Sequence, residues 1–143
     1  MIMHRIDEII DFIKEESGND KVYPETDIFD DLEMVGDDFH EMIENYSKRF
    51  DVKMDNYLWY FHSNDEGIGN IGAIFFTPPF KKVERIPISP NLLLNCANSR
   101  QWNVKYPEHN GQVGRSDLAV NRILAIVFIC GFLIYYGFKL LNK

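Results

Sequence analysis

The sequence predicts a mainly α protein: a small helical bundle, with a short β-hairpin that the pattern permits, followed by one C-terminal transmembrane helix. Apolar residues recur at helical spacing in two N-terminal segments, a Ser-Pro pair opens a third helix, and a run of 16 uncharged residues lies near the C-terminus. The 143 residues have room for one compact domain of about 100 residues plus an appendage.

The first helix is predicted from isoleucines that repeat every three or four residues. Gly18 follows the last of them and is a natural C-terminal stop, because glycine adopts the left-handed conformation that ends many helices. Acidic residues occupy the positions between these isoleucines, which places them on the solvent-exposed face of the helix. The apolar stripe consists of Ile2, Ile6, Ile9, Ile10 and Ile13.

The second helix is predicted to begin near Asp38. Asp38 and Glu41 have the spacing of a capping box, in which side-chain oxygens accept hydrogen bonds from the free N–H groups of the first turn. Glu44 and Lys48 have the i, i+4 spacing of a helical ion pair. The buried stripe of this helix is predicted to be Phe39, Met42, Ile43, Tyr46 and Phe50.

The middle of the chain gives weaker signals. A short helical turn is predicted around Asn56–Phe61, where aromatic residues cluster. Two short apolar segments, 68–76 and 83–88, could pair as strands of a hairpin, with Pro78-Pro79 between them. Ser89 and Pro90 then fit the N-cap and first position of a helix that ends near Trp102.

The transmembrane helix is predicted for Ile123–Leu141. These 19 residues extend roughly 28 Å at about 1.5 Å per residue, close to the bilayer core of about 30 Å. A buried helix of a soluble core would keep a polar stripe, and this one is apolar all round. The predicted organisation is a domain over 1–106, a linker over 107–117 and a membrane helix over 118–141, with the lipid bilayer as a partner.

The charge distribution excludes a nucleic-acid surface on the front half. Residues 1–58 hold 17 acidic and six basic residues, a balance of −11, whereas residues 59–143 have a balance of +4. An acidic surface repels phosphates, so we expect no nucleic-acid partner. Two cysteines, Cys96 and Cys130, offer no disulfide framework and are typical of a reducing compartment.

Catalytic and metal-binding patterns are not found in the sequence. The four histidines are scattered, and the acidic cluster around Asp30 and Asp37 lacks the ligand spacing of a calcium loop. The glycines of segment 67–72 imitate a dinucleotide fingerprint but are not followed by a helix start. No serine or cysteine has an adjacent base. We therefore expect no catalytic residue, no metal site, no cofactor and no enzyme activity.

Several motifs resemble those of a known class. The second helix and its surroundings, Phe29-Asp30-Asp31-Leu32 and Arg49-Phe50-Asp51-Val52, resemble acyl carrier proteins, which are small acidic helical bundles. The chain is still more similar to an uncharacterised family of small bacterial acyl-carrier-like proteins, over residues 6–107. The marks of that family are Tyr23-Pro24-Glu25-Thr26-Asp27, Gly36-Asp37-Asp38, Tyr60-Phe61-His62 and Arg85-Ile86-Pro87-Ile88.

The resemblance to acyl carrier proteins fails at the residue that would carry the prosthetic group. Carriers hold phosphopantetheine on a serine at the start of helix 2, and here Asp38 or Gly36 stands at that position. A carboxylate cannot accept the arm through a phosphodiester. Ser47 lies late on the helix, and Ser17 and Ser63 lie in other segments, so the resemblance implies a carrier-like fold that has lost its prosthetic group.

The expected function is that of a membrane-tethered, non-catalytic interaction module. Asp37, Glu41 and Glu44 on the outer face of helix 2 would dock a basic protein partner. Two alternatives stay open: a true carrier modified at another serine, or a structural or stress protein of the membrane. The expected location is the bacterial inner (cytoplasmic) membrane, as a single-pass protein with its N-terminal domain in the cytoplasm, because a short tail crosses a bilayer more easily than a folded acidic domain.

Overall fold

A computed structural model describes residues 3–64, 71–109 and 116–141, and it is mainly helical. The α-helices are α1 (Ile6–Ser17), α2 (Gly36–Phe50), α3 (Pro90–Ser99) and α4 (Ser116–Leu141). Short 3₁₀ helices cover Trp59–Phe61, Ile71–Ile74 and Pro79–Lys82. The chain divides into two compact units: the first comprises Met1–Glu66 and Val83–His109, the second Gly67–Lys82 and Asn110–Lys143.

Helix α1 confirms the predicted stop and part of the predicted stripe, in which Ile6 and Ile10 are only half-buried. Ile9, Phe12 and Ile13 are buried, and α1 packs against both α2 and α3. Gly18 has a φ of 65°, and its N–H donates to the Lys14 carbonyl, which closes the last turn. A residue with a Cβ is strained at this φ, so glycine is the natural choice. Ile2 lies outside the described residues.

Helix α2 buries the predicted face but begins earlier than predicted. It starts at Gly36, whose φ is 57°, and its N-cap Val35 forms no side-chain capping bond. The predicted capping box at Asp38 and Glu41 is therefore wrong, because Asp38 already lies within the first turn. Its carboxylate and that of Asp37 still complement the helix dipole there. The buried residues are Phe39, Met42, Ile43, Tyr46 and Phe50.

Helix α3 begins as the Ser-Pro pair predicts. The Ser89 hydroxyl accepts from the Leu92 N–H at 3.4 Å, and Pro90 occupies the first turn. The helix ends at Ser99 rather than near Trp102, because the next residues pair with another segment. The N–H of Trp102 donates to the Lys53 carbonyl at 2.9 Å, and the Lys53 N–H donates to the Arg100 carbonyl at 3.1 Å.

The predicted hairpin is wrong wherever the structure describes it. Residues 71–74 form a 3₁₀ helix, and residues 83–88 form no strand. The described ranges contain a single isolated β-bridge, between Lys53 and Gln101. The backbone of 83–88 bonds elsewhere: the Ile86 N–H donates to the Phe61 carbonyl at 2.6 Å, and the Ile88 carbonyl accepts from the Ile28 N–H at 3.0 Å. Residues 68–70 lie outside the described parts.

The second unit is built around α4. Its stretch Leu118–Lys139 has 22 residues with a mean hydropathy of 2.2, and none of its most apolar part is buried. The chain therefore has one C-terminal helix that is long and apolar enough to cross a membrane. The 3₁₀ helix Ile71–Ile74 packs against α4, and the Gly72 N–H donates to the Asn121 side-chain oxygen at 2.8 Å. The predicted boundaries of domain and linker stay a prediction.

Candidate functional site

An acidic cleft opens in the first unit between the end of α1 and the start of α2. Its volume is about 310 Å³, and four carboxylates and two apolar side chains contribute to its lining. The lining residues are Glu16, Ser17, Leu32, Glu33, Met34, Asp38 and Glu41. We call this feature the acidic cleft.

The carboxylates of the acidic cleft differ in their partners. Glu16 accepts a hydrogen bond from the Asn45 amide at 2.9 Å. Within the described ranges, Glu33, Asp38 and Glu41 form no ion pair. All three are exposed, so their negative charge faces solvent without a neutralising cation from the protein. Such a cleft attracts cationic groups.

The docking residues predicted from the sequence are only partly brought together. Asp37, Glu41 and Glu44 are exposed on α2, but only Glu41 lines the acidic cleft. Glu44 forms an ion pair with Lys48 at 2.5 Å, which confirms the predicted pair. The hydrogen bond and charge of Lys48 lower the pKa of Glu44 below its ordinary value.

No local spacing in the sequence indicates that Glu16 and Glu33 line the same cleft as Glu41. Glu16 reaches the cleft because α1 packs against α2, a tertiary contact that no local spacing encodes. Glu33 is oriented by a left-handed backbone conformation with a φ of 51°. An acidic residue at a positive φ is uncommon, but it carries no signature that is readable in the sequence.

The position of the carrier serine holds no hydroxyl in the structure. Gly36 begins α2, and Asp38 is an exposed carboxylate two residues later. The Ser47 hydroxyl donates to the Val52 carbonyl at 3.0 Å, and the Ser17 hydroxyl donates to the Ile13 carbonyl at 2.7 Å. Ser63 is buried. These three serines are therefore engaged or covered, which disfavours attachment of a prosthetic arm to them.

Arg85 joins two of the motifs that define the family resemblance. Its guanidinium donates to both carboxylate oxygens of Asp27, at 2.6 and 3.2 Å, and it also pairs with Asp30. The guanidinium carbon lies 5.2 Å from the centre of the Phe29 ring. The hydrogen bond to Asp27 is the largest cause that raises the pKa of Arg85 above its ordinary value. The arginine is thus fully committed to fixing the loop that precedes α2.

His62, from a third motif, lies in a buried aromatic network. Its Nδ1 is 2.8 Å from the Ile86 carbonyl, and its Nε2 is 2.9 Å from the Tyr106 hydroxyl. Since a carbonyl only accepts, Nδ1 carries the proton and Nε2 accepts from Tyr106. The Tyr106 oxygen in turn accepts from the Trp102 indole at 2.7 Å and from the Leu58 N–H at 3.2 Å.

Burial keeps His62 neutral. The loss of solvation on burial is the largest cause that lowers the pKa of His62, to about 4. A neutral imidazole with both nitrogens already bonded has no lone pair or proton to offer to a substrate. The ring of Tyr57 stacks on the imidazole, with the two ring centroids 5.5 Å apart, and closes one of its faces. His62 therefore acts as a packing and bonding centre.

The described residues contain no group of three or more histidine, cysteine, aspartate or glutamate side chains arranged to hold a metal ion. The acidic residues that cluster in the sequence around Asp30 and Asp37 have different surroundings in the structure. Asp30 pairs with Arg85, and the Asp31 carboxylate accepts from the Asp27 N–H at 2.8 Å. Asp38 lines the acidic cleft.

The fold and the site define a class: a small α-helical domain with an acidic cleft, followed by one helix of membrane-spanning length. The family described as "Protein of unknown function (DUF1493)" has a model that matches residues 2–103. The chain belongs to this family. No curated protein and no solved structure matches it. The resemblance to an uncharacterised family is thereby confirmed, whereas nothing in these comparisons supports the resemblance to acyl carriers.

Proposed function

We propose that this protein is a membrane-tethered, non-catalytic interaction module, with α4 in the bilayer and the acidic cleft as its binding site for a basic protein. The exposed apolar surface of α4 is the observation that carries the proposal. Phe128 is 76% exposed and Ile134 69%. Exposed apolar patches larger than a few hundred Å² are rare on soluble proteins and mark membrane or protein contacts.

The length of α4 suits a single crossing. Its 26 residues extend about 39 Å at roughly 1.5 Å per residue, more than the bilayer core of about 30 Å. Both ends therefore reach the headgroup region, where Arg122 and Lys139 bound the uncharged run. The long stems of these side chains let their charges reach water. A helix satisfies the backbone N–H and C=O groups of its interior by its own hydrogen bonds, which a bilayer requires of a spanning segment.

The acidic cleft suits a lysine or arginine of a partner protein. Glu33, Asp38 and Glu41 supply the negative charge, and Leu32 and Met34 offer apolar surface to the methylene stem of such a side chain. Charge-assisted hydrogen bonds to a carboxylate are roughly twice as strong as neutral ones. Exposed charges also raise the rate of encounter and make it depend on salt. The carboxylates of the cleft therefore determine which partner binds, and the membrane anchor determines where in the cell the partner binds.

The location that fits this function is the cytoplasmic side of a bacterial inner membrane. The positive-inside rule places short basic segments next to a span in the cytoplasm. Arg115 and Arg122 precede the apolar run of α4, and Lys139 and Lys143 follow it, so the flanks alone give a near tie. Lys81 and Lys82 lie on the N-terminal side of the run, which favours a cytoplasmic location for that side.

The proposal is tested with the full-length chain in the membranes of a bacterial host. Photo-crosslinkers placed beside the acidic cleft should capture a basic protein, and E33Q/D38N/E41Q should abolish the capture. The matched control D11N/D20N/D55N removes three exposed negative charges elsewhere and should keep it. Capture that survives the cleft triple variant, or release of the wild type from membranes by alkaline carbonate, would refute the proposal.

A further inference from the structure

The segment Ile71–Lys82 of the second unit forms a surface that takes no part in the partner binding proposed above. Four of its first six residues are large, apolar and exposed: Ile71 by 52%, Ile74 by 80%, Phe75 by 69% and Phe76 by 48%. Aromatic and aliphatic side chains in water at this density are costly, at about 25 cal/mol for each Å² of apolar surface. We therefore expect these exposed apolar side chains to be covered by an apolar environment.

We propose that this segment is a second membrane contact, lying in the interface between headgroups and acyl chains and taking anionic phospholipid. This inference rests on the membrane attachment of α4 proposed above. It goes beyond that attachment, because it assigns a lipid-binding surface to a segment that does not cross the bilayer. Interfacial elements of this kind bury apolar side chains about 5–10 Å into the headgroup boundary and surround them with lysine or arginine.

The depth of the segment follows from its bond to α4. The Gly72 N–H donates to the Asn121 side chain at 2.8 Å. Asn121 precedes Ile123, the first residue of the uncharged run, by two positions, or about 3 Å along the helix axis. A segment held at Asn121 thus lies at the level where the span enters the hydrocarbon. That level is the interface, and not the aqueous phase or the bilayer centre.

The charge of the segment selects the lipid. Lys81 and Lys82 are exposed, and the sequence from Ile71 to Lys82 contains no acidic residue. Anionic headgroups attract basic residues near a bilayer surface. At this level the two lysines add to the positive charges of Arg115 and Arg122 before the uncharged run, against Lys139 and Lys143 after it. This breaks the near tie and favours a cytoplasmic N-terminal side.

Spin labels on the full-length chain in vesicles test the inference. Cys130 labels the span, while I74C and F75C, each with C130A, label the segment; the buried Cys96 is left in place. D11C with C130A, on the wet face of α1, is the aqueous control. The measurement compares collisions of each label with oxygen, which concentrates in lipid, and with a water-soluble nickel complex. Vesicles are an equal mixture of phosphatidylcholine and phosphatidylglycerol, or phosphatidylcholine alone.

We expect the labels at 74 and 75 to collide more with oxygen than with nickel, as Cys130 does, and the label at 11 to do the reverse. Adding K81E/K82E, or omitting phosphatidylglycerol, should shift the labels at 74 and 75 toward the aqueous value and leave Cys130 unchanged. Aqueous labels at 74 and 75 beside a lipid-embedded Cys130 would overturn this inference alone. Spin–spin broadening at 74 would also overturn it, since a second copy would then cover the patch. An aqueous Cys130 would instead overturn the membrane attachment itself.

Discussion

His62 makes the stability of the first unit depend on pH. Its pKa is about 4 in the folded chain, against an ordinary value of 6.5. Between these two pH values, His62 binds a proton in the unfolded state but not in the folded state. The free energy of unfolding therefore falls as the pH drops from 6.5 toward 4. Below about 4 both states are protonated, and the loss contributed by His62 levels off at about 3 kcal/mol.

The pH effect is measurable by urea unfolding of the full-length chain in detergent. From pH 6.5 to 5, the wild type should lose about 1.5–2 kcal/mol more than H62Q, because glutamine does not titrate. The H62Q variant starts from a lower stability, since it disturbs the bond to Tyr106, so the slopes against pH are compared and not the absolute values. Equal slopes for the two proteins would show that His62 is not the group responsible.

Arg85 is expected to contribute more to stability than any exposed arginine pair. Its side chain is 24% exposed and that of Asp27 16%, and charged hydrogen bonds of this kind are worth about 1.5–3 kcal/mol. R85Q should therefore lower the free energy of unfolding by about 2 kcal/mol. The control is R5Q, which breaks the exposed pair with Asp7 and should cost less than about 1 kcal/mol. Similar losses in both variants would contradict this role for Arg85.

At the scale of elements, the sequence predicts the features that depend on residues close together in the chain. The stop of α1 at Gly18, the start of α3 at Ser89 and the apolar run of α4 depend on residues adjacent in the chain. The hairpin was predicted wrongly because a short run such as Ile71–Phe76 has no period that separates a strand from a helical turn. The acidic cleft could not be predicted, because Glu16 and Glu41 line the same cleft only as a result of the packing of α1 on α2.

Gly36 shows how one backbone angle starts a helix. Its φ of 57° suits glycine, and asparagine tolerates this region better than alanine does. We expect G36A to lower the stability of the chain by about 1 kcal/mol and G36N by less. Chemical denaturation of both variants measures the difference. An alanine variant as stable as the wild type would mean that α2 can start without a positive φ.

A charge in the middle of α4 should weaken its membrane integration. Lysine at the centre of a span costs about 2.5–3.5 kcal/mol on insertion scales. F132K should therefore increase the fraction of the chain that alkaline carbonate releases from membranes, whereas the apolar control F132L should behave as the wild type. If F132K stays in the pellet as fully as F132L does, α4 is not held by hydrocarbon.

At the scale of the whole molecule, the family region and the compact units do not coincide. The family model matches residues 2–103, yet residues 67–82 within that region belong to the second unit together with α4. A segment inside the family region thus shares a unit with the membrane-length helix. The expectation of a carrier depended on resemblance alone, and the positions that the resemblance assigns to the carrier serine hold Gly36 and Asp38.

Intact-mass spectrometry of the chain from its native host tests the absence of a prosthetic arm. We expect the mass of the unmodified polypeptide, because Asp38 offers no hydroxyl and the Ser17 and Ser47 hydroxyls donate to backbone carbonyls. Growth with a labelled precursor of phosphopantetheine provides a second readout, with an authentic carrier as the positive control. An added phosphopantetheine would replace the binding module by a true carrier.

Tyr106 has a mechanical consequence, because it stands three residues before the end of the first unit at His109. A pull that reaches this unit through His109 meets two sets of bonds in turn: His109 with the Tyr60 hydroxyl at 2.8 Å, and then the Tyr106 oxygen with Trp102, Leu58 and His62. The C-terminal end of the first unit is thus fastened to its aromatic core at two successive points, and a load that enters there has to break both before the core opens.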